Sequence, residues 1–186
     1  MGTANIDYYS ISNYVRWSEA FSTWIDGFVN VSNQGYDYFG DPIATKLVER
    51  VSYSWHYIQE SPTNFFNDDY TFSIYAKAEE REHIKLISSW PGPYEADAIF
   101  DLVNGTVEGD GSMDAIGDGW YRCSVTSQVI NDLMFNVRVM ICMRDEQDNI
   151  LDDYEGDGKS GLLVFGAMFN IGLDAEAYVK TQGNPV

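Results

Sequence analysis

The chain has 186 residues, of which 45% are hydrophobic and 15% aromatic, so it is long enough for one domain with a full core and is not a disordered chain. Eleven Lys and Arg against 29 Asp and Glu give a net charge of −18, which argues against nucleic acid and anionic membrane surfaces as partners. No apolar run approaches the ~18 residues of a transmembrane helix, and the N-terminus lacks the basic and apolar regions of a secretion signal.

The N-terminal part of the sequence predicts a polar lead-in followed by short elements. Residues 1–13 are expected to form an arm, with one domain over residues 14–186. Ser18–Trp24 has the only trace of helical periodicity and predicts a single short turn. Ala44–Val48 and Trp55–Ile58 are short runs of alternating character, which are typical of strands.

The next segment predicts a hairpin. Tyr70–Ala78 (YTFSIYAKA) alternates large apolar residues with smaller ones, which strongly indicates a strand. The acidic turn Glu79–Glu82 leads into a second apolar run, His83–Ser88, and we expect the two runs to pair. Ser89–Tyr94 (SWPGPY) contains two prolines and a glycine, so it cannot be a central strand.

A second hairpin is predicted from Asp97–Val103 and Thr106–Glu108. The connection Asn104-Gly105 is a turn signal, because both residues tolerate a positive φ. Gly109–Gly119 is rich in Gly and Asp and is expected to be a loop. Trp120–Thr126 (WYRCSVT) alternates again and predicts the next strand.

The C-terminal third continues the pattern. Phe135–Met143 places its odd-numbered apolar residues on one face of a strand. Gly156–Gly161 is expected to be a tight loop before the strand Leu162–Phe169, in which Gly166 indicates a bulge. Tyr178–Thr181 predicts a last short strand. Many short strands separated by turn signals indicate an all-β sandwich or barrel.

The two cysteines, Cys123 and Cys142, both fall inside predicted strands and have no CxxC spacing. Two buried free thiols are the expectation. A cross-strand disulfide is the alternative, and the sequence does not decide between them.

Several phrases of the sequence occur together in one known family. The phrases in chain order are SEAFSTW (18–24), DPIATKLVE (41–49), YTFSIYAKA (70–78), IFDLVNGTV (99–107), GDGWYRCSVT (117–126), YEGDGKSGLLVFGAMFNIG (154–172) and AYVKTQG (177–183). Together they resemble the carbohydrate-binding-module-like jelly-roll domain of bacteriophage tail fibres, tail spikes and other virion surface proteins. The resemblance runs from about Ser18 to Gly183.

The resemblance implies an antiparallel two-sheet jelly-roll sandwich, a place in a virion and a homotrimer. The chain departs from the family where a Gln-Leu-Glu phrase often follows Gly-Ala, because Met168, Phe169 and Asn170 stand here instead. This apolar replacement fits a packed interface better than a sugar site. Since the domain is nearly the whole sequence, we expect a decoration or accessory protein that attaches through its own surface and its arm.

Catalytic signals in the sequence are weak. His56 and His83 are the only histidines, and no GxSxG elbow accompanies them, so a nucleophilic hydrolase is not expected. A glycosidase needs two carboxyls roughly 5–9 Å apart. With 29 acidic residues, however, carboxylate pairs arise by chance, and a glycan depolymerase ranks last among the alternatives.

Two kinds of binding site have candidates. Asp153, Glu155 and Asp157 alternate and Gly158 follows, as at the start of a calcium loop, although Val164 at the twelfth position excludes an EF-hand. A solvated acidic turn is the alternative reading of this loop. Aromatic residues can stack on sugar rings, and the glycan candidates, each of which could instead be a packing residue, are Trp90 and Tyr94, followed by Trp55 with Tyr57.

The sequence thus favours a non-enzymatic structural protein of the virion surface, assembled in the host cytoplasm. It would decorate the capsid, form a head fibre, or belong to a tail or fibre complex, with other virion proteins as partners. A glycan- or receptor-binding adhesin that contacts a host surface glycan is the alternative.

Overall fold

A computed structural model describes residues 12–33, 35–41, 43–63, 67–88, 95–129 and 136–186. Residues 1–11 of the expected arm, Phe135 and the proline-rich segment 89–94 lie outside the described residues. Among the residues that are described, helical structure is confined to one 3-10 turn at Phe21–Thr23, inside the segment for which the sequence predicts a short turn.

The domain is a sandwich of two antiparallel sheets, as the sequence predicts. One sheet, the β4 sheet, has the order β1 (Ile25–Gly27), β4 (Tyr53–Glu60), β11 (Val137–Arg144), β6 (His83–Ser88), β7 (Ala96–Asp101) and β8 (Thr106–Gly109); β12 (Ile150–Leu151) pairs with β11, and β13 (Asp153–Glu155) pairs with β4. The other, the β14 sheet, has the order β2 (Val29–Asn33), β3 (Thr45–Glu49), β14 (Gly161–Ile171), β5 (Asp68–Ala78), β10 (Trp120–Val129) and β9 (Gly111–Gly117).

The strand order is that of a jelly roll. The central four strands of one sheet run β3-β14-β5-β10 and those of the other run β4-β11-β6-β7. Among these eight strands, each step along the chain changes sheet except the step from β6 to β7. Two interleaved Greek keys of this kind define the jelly-roll class.

The core lies between the sheets and depends on period-two alternation. In β11, Val137, Val139 and Ile141 point into the core, and in β14 the ring of Phe169 stacks on Tyr70 of β5 with ring centroids 4.8 Å apart. Tyr14 closes this end of the core with an edge-on contact to Tyr70 at 5.3 Å. Complete burial of each such side chain stabilises the fold by about 1.5–3 kcal/mol.

The domain includes part of the expected arm. The side chain of Asn13 is fully buried; its amide donates to the carbonyls of Ala167 (3.1 Å) and Val179 (2.7 Å), and its Oδ1 accepts from the backbone N–H groups of Val15 and Phe169. The first described residues are thus fixed between β14 and the C-terminal segment.

Three local predictions were wrong, those for the first hairpin, for Tyr178–Thr181 and for the loop Gly109–Gly119. Tyr70–Ala78 and His83–Ser88 do not form a hairpin, because β5 pairs with β10 and β14 whereas β6 pairs with β11 and β7 in the other sheet. The acidic turn between them carries the chain across the sandwich, and the Arg81 N–H donates to the carbonyl of Gly161 at 2.9 Å. Tyr178–Thr181 is not a strand; hydrogen bonds between Ser18 and Thr181 hold it against the domain.

The predicted loop Gly109–Gly119 contains an edge strand, β9, which the sequence did not reveal. Its composition hides its role, because Gly and Asp are depleted in strands. Gly111 is required by packing, since a Cβ there would lie 2.6 Å from the Cβ of Ala98 and 2.8 Å from Phe100. The start of β9 therefore lies so close to Ala98 and Phe100 of β7 that no side chain fits at Gly111.

Other predictions are confirmed. The pairing of β14 with β5 shifts register between Phe165 and Met168, and Gly166 has a φ of +61°, so the bulge lies where the sequence places it. The turn between β7 and β8 is closed by the Asp101 carboxylate, which accepts from the N–H groups of Val103 and Asn104. Cys123 and Cys142 are free and buried, which excludes the disulfide.

Candidate binding surface

The outer face of β4 carries a row of aromatic side chains. Alternation directs His56, Ile58 and Glu60 into the protein and leaves Tyr53, Trp55 and Tyr57 on the outside. Tyr53 is 68% exposed and Trp55 is 37% exposed, whereas Tyr57 is half-buried. Alternate residues of a strand lie about 7 Å apart, so the three rings follow one another along a single line.

The acidic residues of the predicted calcium loop lie beside this row. Strand β13 pairs with β4 in a register that places Asp153 opposite Trp55 and Glu155 opposite Tyr53. Directly opposed residues share one face of a sheet with Cβ atoms about 5 Å apart. The structure therefore brings together two sets of residues that the sequence assigned to different sites, a glycan platform and a metal loop.

A buried ion pair fixes β13 in this position. Between Asp153 and Glu155, Tyr154 points inward, and its hydroxyl donates to the carboxylate of Glu49 at 2.8 Å. Glu49 is fully buried and also accepts from Arg81, with Nε at 2.7 Å and Nη2 on the other oxygen. The Asp157 N–H adds a further bond at 2.8 Å.

The pKa shifts in this network follow from burial and pairing. Burial, followed by its hydrogen bond to Glu49, raises the pKa of Tyr154 far above its usual value, so its hydroxyl remains a donor. The hydrogen bond to Glu49 also raises the pKa of Arg81. A paired guanidinium and carboxylate of this geometry form a rigid, directional link between β3, the turn after β5 and β13.

Asp157, the third predicted metal ligand, closes the loop before β14. Its carboxylate accepts from the backbone N–H groups of Lys159 and Ser160, both at 2.7 Å, and from the Ser160 hydroxyl at 2.6 Å. The bonds from Ser160 hold the pKa of Asp157 well below its usual range. Its oxygens point into the loop, whereas Asp153 and Glu155 point outward from β13, and within the described ranges no three His, Cys, Asp or Glu residues form a metal-binding group. Calcium binding here stays a prediction.

The far end of the aromatic row is already packed. The ring of Tyr57 covers Gly27 of β1, where a Cβ would lie 2.2 Å from the ring. The guanidinium of Arg138 stacks over the same ring at 4.6 Å, and its Nε donates to Gln59 at 2.7 Å. Of the row, Tyr53 and Trp55 are the more exposed side chains, and Tyr57 forms its rigid end.

The histidines have structural contacts. His56 is buried between the carbonyls of Phe28 (2.8 Å from Nδ1) and Tyr154 (3.2 Å from Nε2). Phe28 has a φ of +56° at the point where the chain passes from β1 to β2, so His56 braces a strained crossover. His83 contacts Arg144 and Asp101 on the outer face of β6.

The outer face of the β14 sheet is covered by the chain itself. Phe165 stacks on Tyr75 at 4.5 Å and is covered from the edges by Trp120, Phe39 and Tyr178. Met168 and Phe169 are fully buried. The apolar replacement in the family phrase therefore packs within the domain, and these two residues do not form the interface that the sequence led us to expect. Asn170 donates to the carbonyls of Ile171 and Asp174 and anchors the C-terminal segment.

Sequence reasoning identified Trp55 and Tyr57 but missed Tyr53, because the predicted strand began two residues too late. It also missed Tyr36 and Phe39, which are each 68% exposed in the loop before β3. The sequence signal for that loop was a cluster of three aromatic residues, which Asp37 interrupts and Gly40 follows. Trp90 and Tyr94, the first-ranked glycan candidates, lie outside the described residues.

No model of a known protein family matches this chain, and no curated protein matches it. Within the described residues, no helix is long and apolar enough to cross a membrane.

Proposed function

We propose that this protein is a non-enzymatic structural protein of the bacteriophage virion surface, as a capsid decoration, a head fibre or a tail component. The observation that carries the proposal is the position of the family-like phrases within the jelly roll. GDGWYRCSVT forms the tight turn Gly117–Gly119 and strand β10, and GDGKSGLLVFGA forms the Asp157 loop and the bulged central strand β14. These phrases therefore occupy a tight turn and a central strand of the sandwich, which supports the likeness on which the proposal rests.

A function that depends on surface contacts is supported by the contacts that the ionisable groups make. Glu49 and Arg81 hold β13, Glu60 is bonded by Arg16, and Lys85 lies between Asp97 and Asp152 at 3.2 and 3.1 Å. Each of these groups links elements of the sandwich, so its role is accounted for by stability. The net charge of −18 keeps the remaining surface hydrated and limits nonspecific contact.

The proposal extends to assembly. The family likeness suggests a homotrimer that attaches to the capsid or tail, and β8 and β9 at the ends of the two sheets offer edges that such contacts would protect.

Labelling and imaging of intact particles test the function. An antibody against the purified domain should decorate phage particles in electron micrographs, and a particle reconstruction should show symmetric density that the domain fits. Sedimentation of the purified protein should give the mass of three chains. Antibody-negative particles, or purified protein that turns over an envelope polysaccharide, would refute the proposal.

A further inference from the structure

The turn between β7 and β8 contains the one Asn-Gly dipeptide of the sequence, Asn104-Gly105. An asparagine that precedes a glycine loses its side-chain amide without an enzyme, because the glycine nitrogen reaches the side-chain carbonyl carbon unhindered. Asn104 is exposed, and both carboxylate oxygens of Asp101 accept hydrogen bonds from it. We propose that Asn104 is a site of spontaneous deamidation, which Asp101 keeps closed in the folded protein and which reacts when this turn opens.

The reaction consumes one water and releases one ammonia. The backbone nitrogen of Gly105 gives its proton to hydroxide and attacks Cγ of Asn104. The bond from Cγ to Nδ2 then breaks, and Nδ2 leaves as ammonia with a proton from water, which restores the hydroxide. The product is a cyclic succinimide. Water adds to either carbonyl of the ring and opens it to aspartate or to isoaspartate.

The geometry of the turn requires the glycine that makes Asn104 reactive. Gly105 has a φ of +67°, and a Cβ at this position would lie 3.1 Å from the hydroxyl oxygen of Tyr121. A positive φ strains every residue with a Cβ, whereas glycine adopts it freely. The turn therefore cannot exchange Gly105 for a larger residue without strain, and protection of Asn104 has to come from its other contacts.

Hydrogen bonds to Asp101 hold both reacting groups. The N–H of Gly105, whose nitrogen is the nucleophile, donates to the backbone carbonyl of Asp101 at 2.9 Å. Nδ2 of Asn104, the leaving group, donates to the Asp101 carboxylate at 2.8 Å, and so does the backbone N–H of Asn104 at 2.8 Å. A hydrogen-bonded amide exchanges its proton only after local opening. Deamidation of Asn104 therefore requires the turn to open.

The charge of Asp101 opposes the reaction as well. Partial burial raises the pKa of Asp101, but the hydrogen bonds from Asn104 and Val103 outweigh this effect and hold the pKa below its usual value. Asp101 is therefore a carboxylate and has no proton to give to the departing ammonia. Its negative charge also disfavours the deprotonated form of the Gly105 nitrogen, because like charges repel.

A second turn of the same design supplies an internal control. The carboxylate of Asp145 accepts from the backbone N–H of Asn149 at 2.8 Å and from its Nδ2 at 2.9 Å. Ile150 follows Asn149, and its β-branched side chain crowds the backbone nitrogen that would attack. Asn149 thus has the same kind of carboxylate contact as Asn104 but lacks the glycine, so it should deamidate slowly whether its turn is open or closed.

Peptide mapping by mass spectrometry tests the proposal on purified protein. Wild type is held folded in buffer and unfolded in guanidinium chloride, at one mildly alkaline pH and one temperature, and deamidation is followed at Asn104 and Asn149. Asn104 should react at least about tenfold faster in the denatured chain, because opening of a turn held by several hydrogen bonds costs ~1.4 kcal/mol or more. Asn149 should react slowly in both states.

Two variants separate the contact from the fold. In the folded protein, Asp101→Ala should accelerate deamidation of Asn104 by about tenfold, which corresponds to ~1.4 kcal/mol. Asp145→Ala removes the equivalent carboxylate of the other turn and should leave the rate at Asn104 unchanged. Circular dichroism checks that both variants are folded. If Asp101→Ala unfolds, the comparison of folded with denatured wild type still decides the proposal.

The product should no longer close the turn. Deamidation replaces the donor Nδ2 by a second carboxylate facing Asp101, so the bond at 2.8 Å becomes a repulsion. Asn104→Asp reproduces the aspartate product. In this variant, amide hydrogen exchange at Thr106, which pairs with Asp101 at the start of β8, should be faster than in wild type, whereas exchange at Val139 in β11 should not change. The reaction would thus mark molecules whose edge strand β8 has opened.

Three outcomes would overturn the inference: equal rates at Asn104 in the folded and the denatured chain, no acceleration in folded Asp101→Ala, or unchanged exchange at Thr106 in Asn104→Asp. None of them bears on the proposed role on the particle, which is measured on virions.

Discussion

The buried pair of Arg81 and Glu49 gives the sharpest test of how this fold is held together. Arg81→Ala removes the guanidinium and leaves a fully buried carboxylate whose remaining donors among the described residues are the Tyr154 hydroxyl and the Asp157 N–H. Loss of one partner of a buried ion pair costs about 3–5 kcal/mol, because the other charge stays in a medium that solvates it poorly.

The two remaining hydrogen bonds place the expected cost of Arg81→Ala near the lower end of that range, at about 3 kcal/mol. For a domain of this size, 1 kcal/mol corresponds to a shift in Tm of roughly 2–4 °C, so Tm should fall by roughly 6–12 °C. Because the same network anchors β13, amide hydrogen exchange in Asp153–Glu155 should accelerate more than in the core strand β11.

Urea unfolding followed by far-ultraviolet circular dichroism measures the cost. The matched control is Arg50→Ala, which breaks a surface pair with Asp26 in which both side chains are about two-fifths exposed, at 43% and 42%. Exposed pairs contribute about 0–1 kcal/mol. If Arg81→Ala costs no more than Arg50→Ala, the Glu49 network does not hold β13, and the argument from burial is wrong.

Three further predictions concern single residues. Burial raises the pKa of Glu60 in the folded protein despite its contact with Arg16, so the folded state binds its proton more tightly, and the contribution of Glu60 to stability falls as the pH rises through that pKa. Glu60→Gln should therefore gain stability relative to wild type between pH 4 and 7 in urea titrations, and a constant difference would contradict this sign. Gly111→Ala should cost about 1–3 kcal/mol in the same assay, because the new Cβ meets Ala98 and Phe100, whereas Ser112→Ala on the exposed side of β9 should be neutral. Asp157→Ala should lower stability by about 1 kcal/mol in EDTA and in calcium alike, because three hydrogen bonds close its loop, and a loss seen only in calcium would instead reveal the metal site that the sequence suggests.

The fold class could be predicted from the sequence because alternation is a local property. Each of β5, β10 and β11 shows a period of two in the chain, whereas β14 is a continuous apolar run in which Gly166 marks the bulge without any knowledge of the partner strand. Strand partners are not local in this sense. Tyr70–Ala78 and His83–Ser88 are neighbours in sequence, yet the acidic turn between them crosses the sandwich, and only the burial of both apolar faces decides that outcome.

The candidate surface could be predicted only in parts. Trp55 and Tyr57 were found by their shared face, and Asp153, Glu155 and Asp157 by their spacing, but the two sets are about 100 positions apart in the chain. Their meeting depends on the β13–β4 register, which Tyr154 sets through a hydrogen bond to Glu49, a residue 105 positions away. Strand β9 was missed for the opposite reason: the glycines and aspartates in and around it resemble those of a loop, and its pairing with β10 overrides that composition.

The two outer faces of the sandwich differ in what they leave for a partner. On the β14 sheet, Phe165 is 1% exposed beneath the chain's own aromatic residues, so a partner that approaches this side meets the loop with Tyr36 and Phe39 and not the sheet. On the β4 sheet, Tyr53 and Trp55 are exposed, and β6 and β7 of the same sheet are linked by the ion pair of Lys85 with Asp97. Covering one face with its own C-terminal segment costs the chain ordering entropy, and burial of Phe165 and Tyr75 offsets that cost. On the β4 sheet, the aromatic rings of Tyr53 and Trp55 lie beside the carboxylates of Glu155 and Asp153, which need water or hydroxyl groups as donors.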